Sequence, residues 1–230
     1  MARGQHHQLH AQDRTRQRRL RIAQEAARLI SEHGIRDFHR AKLKAAERLG
    51  VLDAQVLPRN QEIEQALREH QRLFHADSQP QQLRERREAA VEAMRFLAAY
   101  EPRLVGPVLE GTADAHSAVC LQVFCDDPDE VPRFLHERGI PAYAQTRRLR
   151  MDRESSLDCA VLLFSADGLG FDLTVLPRDA LRQAPLDRID ERPMRRASLT
   201  AVEELLAASG DDGDDGFERM LSSALHTRHG

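Results

Sequence analysis

The spacing of apolar residues predicts that the first hundred residues are helical. Four runs repeat apolar positions every three or four residues, which places them on one side of a helix. The first run ends at Gly34, a residue suited to a helix C-terminus, and the second follows Asp37, a good N-terminal cap. The third run follows Pro58, and Pro80 opens the fourth. The apolar positions of the first run are Leu20, Ala23, Ala27 and Ile30.

After residue 103 the apolar residues form short runs of the kind that is typical of strands. Asp167 and Gly168 separate two of these runs and predict a tight hairpin turn. Helices are predicted at 128–138 and 199–208. We therefore expect an α+β fold, in which an N-terminal helical region packs beside a small mixed sheet. The predicted strands are 104–109, 119–124, 143–151, 159–164 and 171–176.

These patterns divide the chain into four parts. Residues 1–13 are rich in Gln and His without apolar periodicity, which predicts a disordered arm. Residues 14–100 form the predicted helical region, and 101–208 the predicted sheet domain. Residues 209–230 begin with a run of Gly and Asp, which predicts an acidic flexible tail, with room for a short helix after Phe217.

The composition excludes several classes of protein. The net charge is -3, so no overall field attracts the chain to nucleic acid or to a membrane. Three cysteines leave no even pairing, which favours a reducing compartment over a disulfide framework. No stretch approaches the ~18 apolar residues that span a bilayer, and the N-terminus lacks the apolar core of a signal peptide. We therefore expect a cytoplasmic protein. Motifs of P-loop ATPases, dinucleotide-binding proteins, serine hydrolases and zinc proteases are missing from the sequence.

In the segment 104–124, small and polar residues stand at Gly106, Gly111, Thr112, Ala113 and Ser117, between two apolar runs. With this spacing the segment resembles part of the DNA-polymerase-β-type nucleotidyltransferases. In that family a strand ends in Gly-Ser, a turn of small residues follows, and Ser-Asp-x-Asp opens the next strand. The resemblance extends over about 70 residues, to a later strand at 171–176, and implies a mixed sheet and a nucleotide site. The residues that keep the family's spacing, called here the frame residues, are Gly106, Gly111, Thr112, Ala113 and Ser117.

The residues that carry the family's chemistry are mostly replaced. Ala118 and Cys120 stand where the family has metal-binding Asp, so these are degenerate metal positions. Pro107 stands where the family has Ser, which removes a hydroxyl and a backbone N–H. Asp172 is the one surviving candidate for a catalytic carboxylate. Since a hard cation needs several oxygen ligands, no cofactor is expected, and Mg²⁺ is expected only if the protein is active.

Other residues offer alternatives. The resemblance places Gly106, Gly111, Thr112 and Ser117 against a nucleotide, and Arg148 and Arg150 share one face of the third predicted strand, where they could contact phosphate. Carboxylates elsewhere could form a relocated metal site, although in such positions they more often cap turns. These carboxylates belong to Glu110, Asp114, Asp126, Asp127 and Asp158.

Two further clusters bear on partners. An Arg-rich run near the N-terminus could neutralise phosphates of RNA or DNA, although no aromatic residues are interleaved for base stacking. His6, His7 and His10 could bind a transition metal but fall in the predicted arm. His116 and Ser117 are adjacent, so on a strand they would face opposite ways and could not share a proton. The members of the Arg-rich run are Arg14, Arg16, Arg18, Arg19 and Arg21.

Three functional hypotheses follow. The first is a catalytically impaired protein of nucleotidyltransferase fold that binds a nucleotide, RNA or a protein partner. The second is an active nucleotidyltransferase that uses Asp172 and relocated carboxylates to move a nucleoside monophosphate onto a hydroxyl. The third is a helical protein-interaction module whose sheet is structural. The resemblance requires that Ala118, Cys120 and Asp172 line one face of the sheet.

Overall fold

The structure is a computed structural model that describes residues 2–35, 37–51, 53–74, 78–189 and 191–208, with residues 2–13 described by their backbone alone. The fold is α+β, as the sequence predicts. The predicted acidic tail at 209–230 and the side chains of the His6, His7 and His10 cluster lie outside the described residues. No helix among the described residues is long and apolar enough to cross a membrane.

Three helices form a unit with its own hydrophobic core. They are α1 (Ala2–His33), α2 (Phe38–Arg48) and α3 (Asn60–Phe74). Asp37 caps α2 as predicted, because its side chain accepts a hydrogen bond from the backbone N–H of Arg40. Fully buried aliphatic and alanine side chains from all three helices meet in this core. Its members include Ile22, Ala26, Leu29, Ala41, Ala45 and Ile63.

Five strands form one mixed sheet: β1 (Arg103–Val105), β2 (Val119–Phe124), β3 (Tyr143–Arg150), β4 (Ser156–Ala166) and β5 (Leu169–Leu176). Their order is β1-β2-β5-β4-β3. The β2–β5 pair is parallel, and the other three pairs are antiparallel. The parallel pair therefore lies at the centre, with a single short strand on one side and a two-stranded ribbon on the other.

One face of the sheet is covered by helices. These are α4 (Gln79–Phe96), α6 (Glu130–Glu137) and α7 (199–208), and a four-residue helix α5 (Pro107–Glu110) follows β1. Apolar residues at alternate positions of β2 and β5 point into the resulting core, as the two-residue period of a strand requires. These residues are Val119, Leu121, Val123, Phe171, Leu173 and Val175.

The four predicted helices do not share one core. Met94 and Ala90 of α4 are buried with the sheet, whereas α1–α3 are buried against one another. The apolar spacing of α4 predicts a helix but does not say which partner covers it, so the hydrophobic cores divide between α3 and α4 rather than after residue 100.

Two predicted boundaries are wrong. Residues 2–13, expected to be disordered, continue α1 as helix. The sequence there has little to bury, but its Ala, Gln, Leu and Arg residues favour helix. The predicted strand 104–109 ends at Val105, because Gly106 adopts a φ of 71° and Pro107 then begins α5.

The β4–β5 hairpin generates a stability prediction. Both turn residues have positive φ, 49° at Asp167 and 77° at Gly168, a conformation that glycine adopts without strain. We expect Gly168→Ala to lower the free energy of unfolding by about 1–2 kcal/mol, measured by urea denaturation. The control Asp167→Gly should be neutral or stabilising. Equal losses in both variants would contradict this account of the turn.

Candidate functional site

At Gly106 the chain turns at the end of β1 and passes close to β2. A Cβ built on Gly106 would lie 3.6 Å from Cβ of Cys120 and 3.7 Å from its Sγ, so this glycine sits directly against Cys120. Pro107, at the first position of α5, needs no backbone donor there because the first N–H groups of a helix have no partner within it. The Gly-Pro pair therefore ends β1 and begins α5 without leaving a backbone donor unsatisfied at Pro107.

The turn before β2 is closed by its own polar atoms. The hydroxyl of Ser117 donates to Oδ1 of Asp114 at 2.9 Å and accepts from the Asp114 N–H at 3.0 Å. Oδ1 of Asp114 also accepts from the backbone N–H of His116 at 3.0 Å. Ser117, predicted to bind a nucleotide, thus uses its hydroxyl to hold the turn, and Asp114 is a turn residue rather than a relocated metal ligand.

Glutamine side chains from the helices hold the first half of the same turn. Nε2 of Gln71, on α3, donates to the carbonyl of Thr112 at 2.8 Å. Nε2 of Gln79, on α4, donates to the carbonyls of Gly111 at 2.9 Å and Ala113 at 3.2 Å. The frame residues Gly111 and Thr112 therefore offer their carbonyls to the helices, and their predicted contact with a nucleotide stays untested.

Arg86 of α4 holds the second half of the turn. Its guanidinium donates to the carbonyl of Ser117 at 2.9 Å and to that of Ala115 at 2.8 Å, and the residue is only 4% exposed. Burial lowers the pKa of Arg86, an effect that Asp114 partly offsets. The buried guanidinium of Arg86 therefore holds the turn that leads into β2.

Ala118, Cys120 and Asp172 lie on one face of the sheet, the arrangement that the resemblance implies. Cys120 and Asp172 are direct partners in the parallel β2–β5 pair, so their side chains point the same way. Ala118 lies two residues before Cys120, and its Cβ would be 3.8 Å from a Cβ placed on Gly170. We call this side the site face; it is opposite the face that the helices cover.

Asp172 forms a two-pronged ion pair with Arg147 of β3. Nη2 of Arg147 lies 2.6 Å from Oδ2 of Asp172, and Nη1 lies 3.0 Å from Oδ1. The Asp172 side chain is 12% exposed and that of Arg147 is 30% exposed. The pKa of Arg147 is raised, chiefly by its hydrogen bonds to Asp172. The surviving carboxylate is therefore already neutralised by a cation that the protein itself supplies.

Arg148 and Arg150 are not part of this site. They share a face of β3, as predicted, but it is the face opposite Asp172. Arg148 pairs in register with Asp158, and Arg150 forms an ion pair with Glu191 at 3.2 Å. The sequence carries one sign of this orientation. Leu149 is the one apolar residue among 147–150 and its side chain is buried, so Arg147, two positions earlier, must point to the same face of the sheet.

Two more guanidinium groups lie farther along the site face. Nε of Arg196 donates to the side-chain oxygen of Gln122 at 2.7 Å, and Nη1 donates to the carbonyl of Ala180 at 2.7 Å. Arg103 is the partner of Gln122 in the β1–β2 register and therefore lies close to Arg196. Burial, and next the charge of Arg103, lower the pKa of Arg196 to about 10. The apolar floor below them consists of Phe124, Leu149, Cys159, Leu176 and Ala180.

Three of the other candidate carboxylates have structural partners, and the fourth, Asp158, stands opposite Arg148 in the β3–β4 register. Glu110 pairs with Arg195 at 2.9 Å. Asp126 accepts from the backbone N–H of Arg178, and Asp127 accepts from that of Asp129. Within the described ranges, no group of three or more His, Cys, Asp and Glu is arranged to hold a metal ion.

The predicted Arg-rich run lies on α1, away from the sheet elements that form the site. Four of its members are exposed, and Arg19 is partly buried and donates to the carbonyl of Gln55 at 3.2 Å. The exposed members are Arg14, Arg16, Arg18 and Arg21.

A cavity of about 430 Å³ opens beside the site face. Its walls are the end of α1 at His33, the turn at His116 and Ser117, and the hairpin residues 168–170. Gly170 belongs both to this cavity and to the contact with Ala118. The cavity therefore adjoins the end of the site face at Ala118.

Comparison with protein-family models, with curated proteins and with solved structures found no match for this chain. The likeness to nucleotidyltransferases thus depends on the frame residues and on the geometry of the site face, and it stays a prediction.

The Arg147–Asp172 pair generates a second stability prediction. Arg147→Leu leaves a nearly buried carboxylate without its cation and should lower the free energy of unfolding by about 2–4 kcal/mol. The double variant Arg147→Leu/Asp172→Leu should be more stable than that single variant, because no charge is left unpaired. Urea denaturation of both variants tests this. A double variant less stable than Arg147→Leu would refute it.

The three thiols should differ in reactivity. Cys120 is half-buried on the site face, whereas Cys125 and Cys159 are buried. Burial raises the pKa of Cys159 to about 11 and that of Cys125 above its ordinary value, so neither forms thiolate readily. We expect an alkylating reagent at neutral pH to modify Cys120 first, as read by mass spectrometry of the folded protein. Modification of Cys159 at an equal rate would contradict the buried position of that thiol.

Proposed function

We propose that this chain is a divergent protein of nucleotidyltransferase fold that binds a nucleotide at the site face without a metal ion and without transferring it. The observation that carries the proposal is the Arg147–Asp172 pair beside Ala118 and Cys120. The cation that neutralises the remaining acid is a side chain, so binding of phosphate does not require a divalent ion.

The charge of the site face supports a negatively charged ligand. A face with three carboxylates repels phosphate unless divalent cations neutralise it. Here Asp172 is balanced by Arg147. On the same face Arg103 and Arg196 donate to carbonyl oxygens and to Gln122, and no carboxylate within the described part of the chain is hydrogen-bonded to either. The pKa of Arg196, about 10, leaves this side chain charged at neutral pH. A phosphate therefore meets a net positive surface.

The dimensions suit a mononucleotide. Gly170, at the cavity, and Asp172 are two residues apart on β5, a separation of about 7 Å along a strand. A ligand with its base in the cavity of about 430 Å³ can therefore bring its phosphate to Arg147. Glycines at 168 and 170 bring no side chain to that wall, so Leu169 is the one bulky residue that the hairpin contributes to it.

The second hypothesis, transfer by relocated carboxylates, has less support. Glu110, Asp114, Asp126 and Asp127 are each held by hydrogen bonds or ion pairs that serve turns and helix ends. Asp172 would have to release Arg147 before it could bind a metal ion or accept a proton.

The test is a melting experiment with ATP, CTP, GTP and UTP, each with Mg²⁺ and with EDTA. At a hundred times the Kd, a ligand of the native state adds about 2.7 kcal/mol, which corresponds to a rise in Tm of roughly 5–10 °C for a chain of this size. We expect at least one nucleotide to give the same rise in both conditions and to slow alkylation of Cys120. Release of pyrophosphate should stay at background.

Two matched variants identify the surface. Arg147→Gln should abolish the nucleotide-dependent rise in Tm, whereas Arg148→Gln, one residue away on the opposite face, should keep it. A rise that requires Mg²⁺, or pyrophosphate release that disappears in Asp172→Ala, would favour the enzymatic hypothesis. No rise with any nucleotide would reject the proposal.

A further inference from the structure

Exposed large apolar side chains are concentrated on the helical unit. Among the described residues, five of the seven such side chains belong to α1–α3 or directly follow α2. Two of the five line a groove of about 530 Å³ that extends along α1, and one of these two, Phe74, is 69% exposed. Apolar side chains that face solvent at a groove are typical of a surface that another protein covers. The five are Leu20, Leu43, Leu49, Leu73 and Phe74, and the groove is lined by Leu49 and Phe74.

The α1 side of the groove carries four charges of alternating sign. They are separated by four, three and four residues, so they form one line along the helix, which we call the charge stripe. A stripe that alternates in this way is its own complement, because the same stripe in the opposite direction has an acid wherever the first has a base. In order along the helix, the residues of the stripe are Arg21, Glu25, Arg28 and Glu32.

The chain's own contacts compensate the middle of the stripe better than its ends. Glu25 and Arg28 are 2.9 Å apart and neutralise each other. Glu32 comes no closer than 3.9 Å to a cation, first at Arg28 and again at the ring of His70. Within the part of the chain that the structure describes, Arg21 has no carboxylate within 4 Å. The least compensated charges therefore lie at the two ends of the stripe, about 16 Å apart along the helix, and they have opposite signs.

We propose that this groove is the surface through which two copies of the chain associate, with their α1 helices antiparallel about a twofold axis. The axis passes between Glu25 and Arg28. Arg21 then faces Glu32 of the partner subunit, and Glu25 faces Arg28 of the partner subunit. Each contact occurs twice, because a twofold axis presents the same surface from both copies. The charges that the single chain compensates least thus find their partners in the second copy.

Other arrangements of the same two helices are less favourable. In a parallel pair each charge of the stripe would face the same charge, which is repulsive. If the antiparallel pair slides by seven residues towards the N-terminus, Arg28 faces Arg18 of the partner subunit, because residues 14–21 contain five Arg and no acidic residue. The charge stripe therefore favours one orientation and one register, while burial of Leu49 and Phe74 supplies apolar contact.

Sedimentation equilibrium of the full chain tests the proposal. The unmodified chain should show a reversible monomer–dimer equilibrium that weakens as salt is added, since salt screens exposed charges. Arg21→Glu and Glu32→Arg should each raise the Kd of the dimer by about tenfold or more, because each creates two contacts between like charges. An equimolar mixture of the two variants should restore the dimer, since one copy then supplies both acidic ends and the other both basic ends.

Arg16→Glu is the matched control. It makes the same change of charge on the same exposed part of α1, but residue 16 lies five positions before Arg21 and so on the other side of the helix. Its dimer should keep a Kd within about threefold of that of the unmodified chain.

Three results would overturn the proposal. A chain that stays monomeric at every concentration would leave the groove to a different protein. A dimer whose Kd is unchanged in Arg21→Glu, or rises equally in Arg16→Glu, would associate through another surface. A mixture of Arg21→Glu and Glu32→Arg that stays monomeric would exclude the antiparallel register.

Discussion

A carboxylate in the middle of a sheet must be neutralised, and the contact between Asp172 and Arg147 meets this need. Asp172 lies on a central strand with its side chain 12% exposed, where an unpaired charge would cost several kcal/mol. The guanidinium reaches it from β3, two strands away in the sheet order, because β4 lies between β5 and β3. The pair therefore ties the edge ribbon to the sheet centre across the site face.

The same pair limits which side chains can stand beside it on the site face. Once a protein cation occupies Asp172, further carboxylates at positions 118 and 120 would again leave unpaired negative charge close to it. Ala118 and Cys120 bring no charge, and Cys120 packs against Gly106. The turn that contains Gly111, Thr112 and Ser117 is subject to a different constraint, because its backbone carbonyls need hydrogen-bond donors. Gln71, Gln79 and Arg86 supply these donors.

Local sequence patterns predict much of this fold, because helix caps and tight turns depend only on residues that are close in sequence. Asp37 caps its helix, and the Asp167–Gly168 turn has the two positive φ values of a tight hairpin. Side-chain partners across strands are harder to predict. β3 contains three arginines, and a shift of one position exchanges the two faces of a strand. The sequence pattern therefore selects Arg148 and Arg150, whereas the structure places Arg147 at the site. The partner of α4 depends on long-range packing that periodicity does not encode.

The turn at 111–117 also connects the two hydrophobic cores, because it accepts hydrogen bonds from helices of both. Gln71 belongs to α3, whose apolar side is buried in the helical unit, and Arg86 belongs to α4, which is buried with the sheet. Both donate to carbonyls of one short turn, at Thr112 in the first case and at Ser117 in the second. Since that turn leads directly into Ala118, polar contacts from both units, which neither hydrophobic core contains, hold the residues that precede β2.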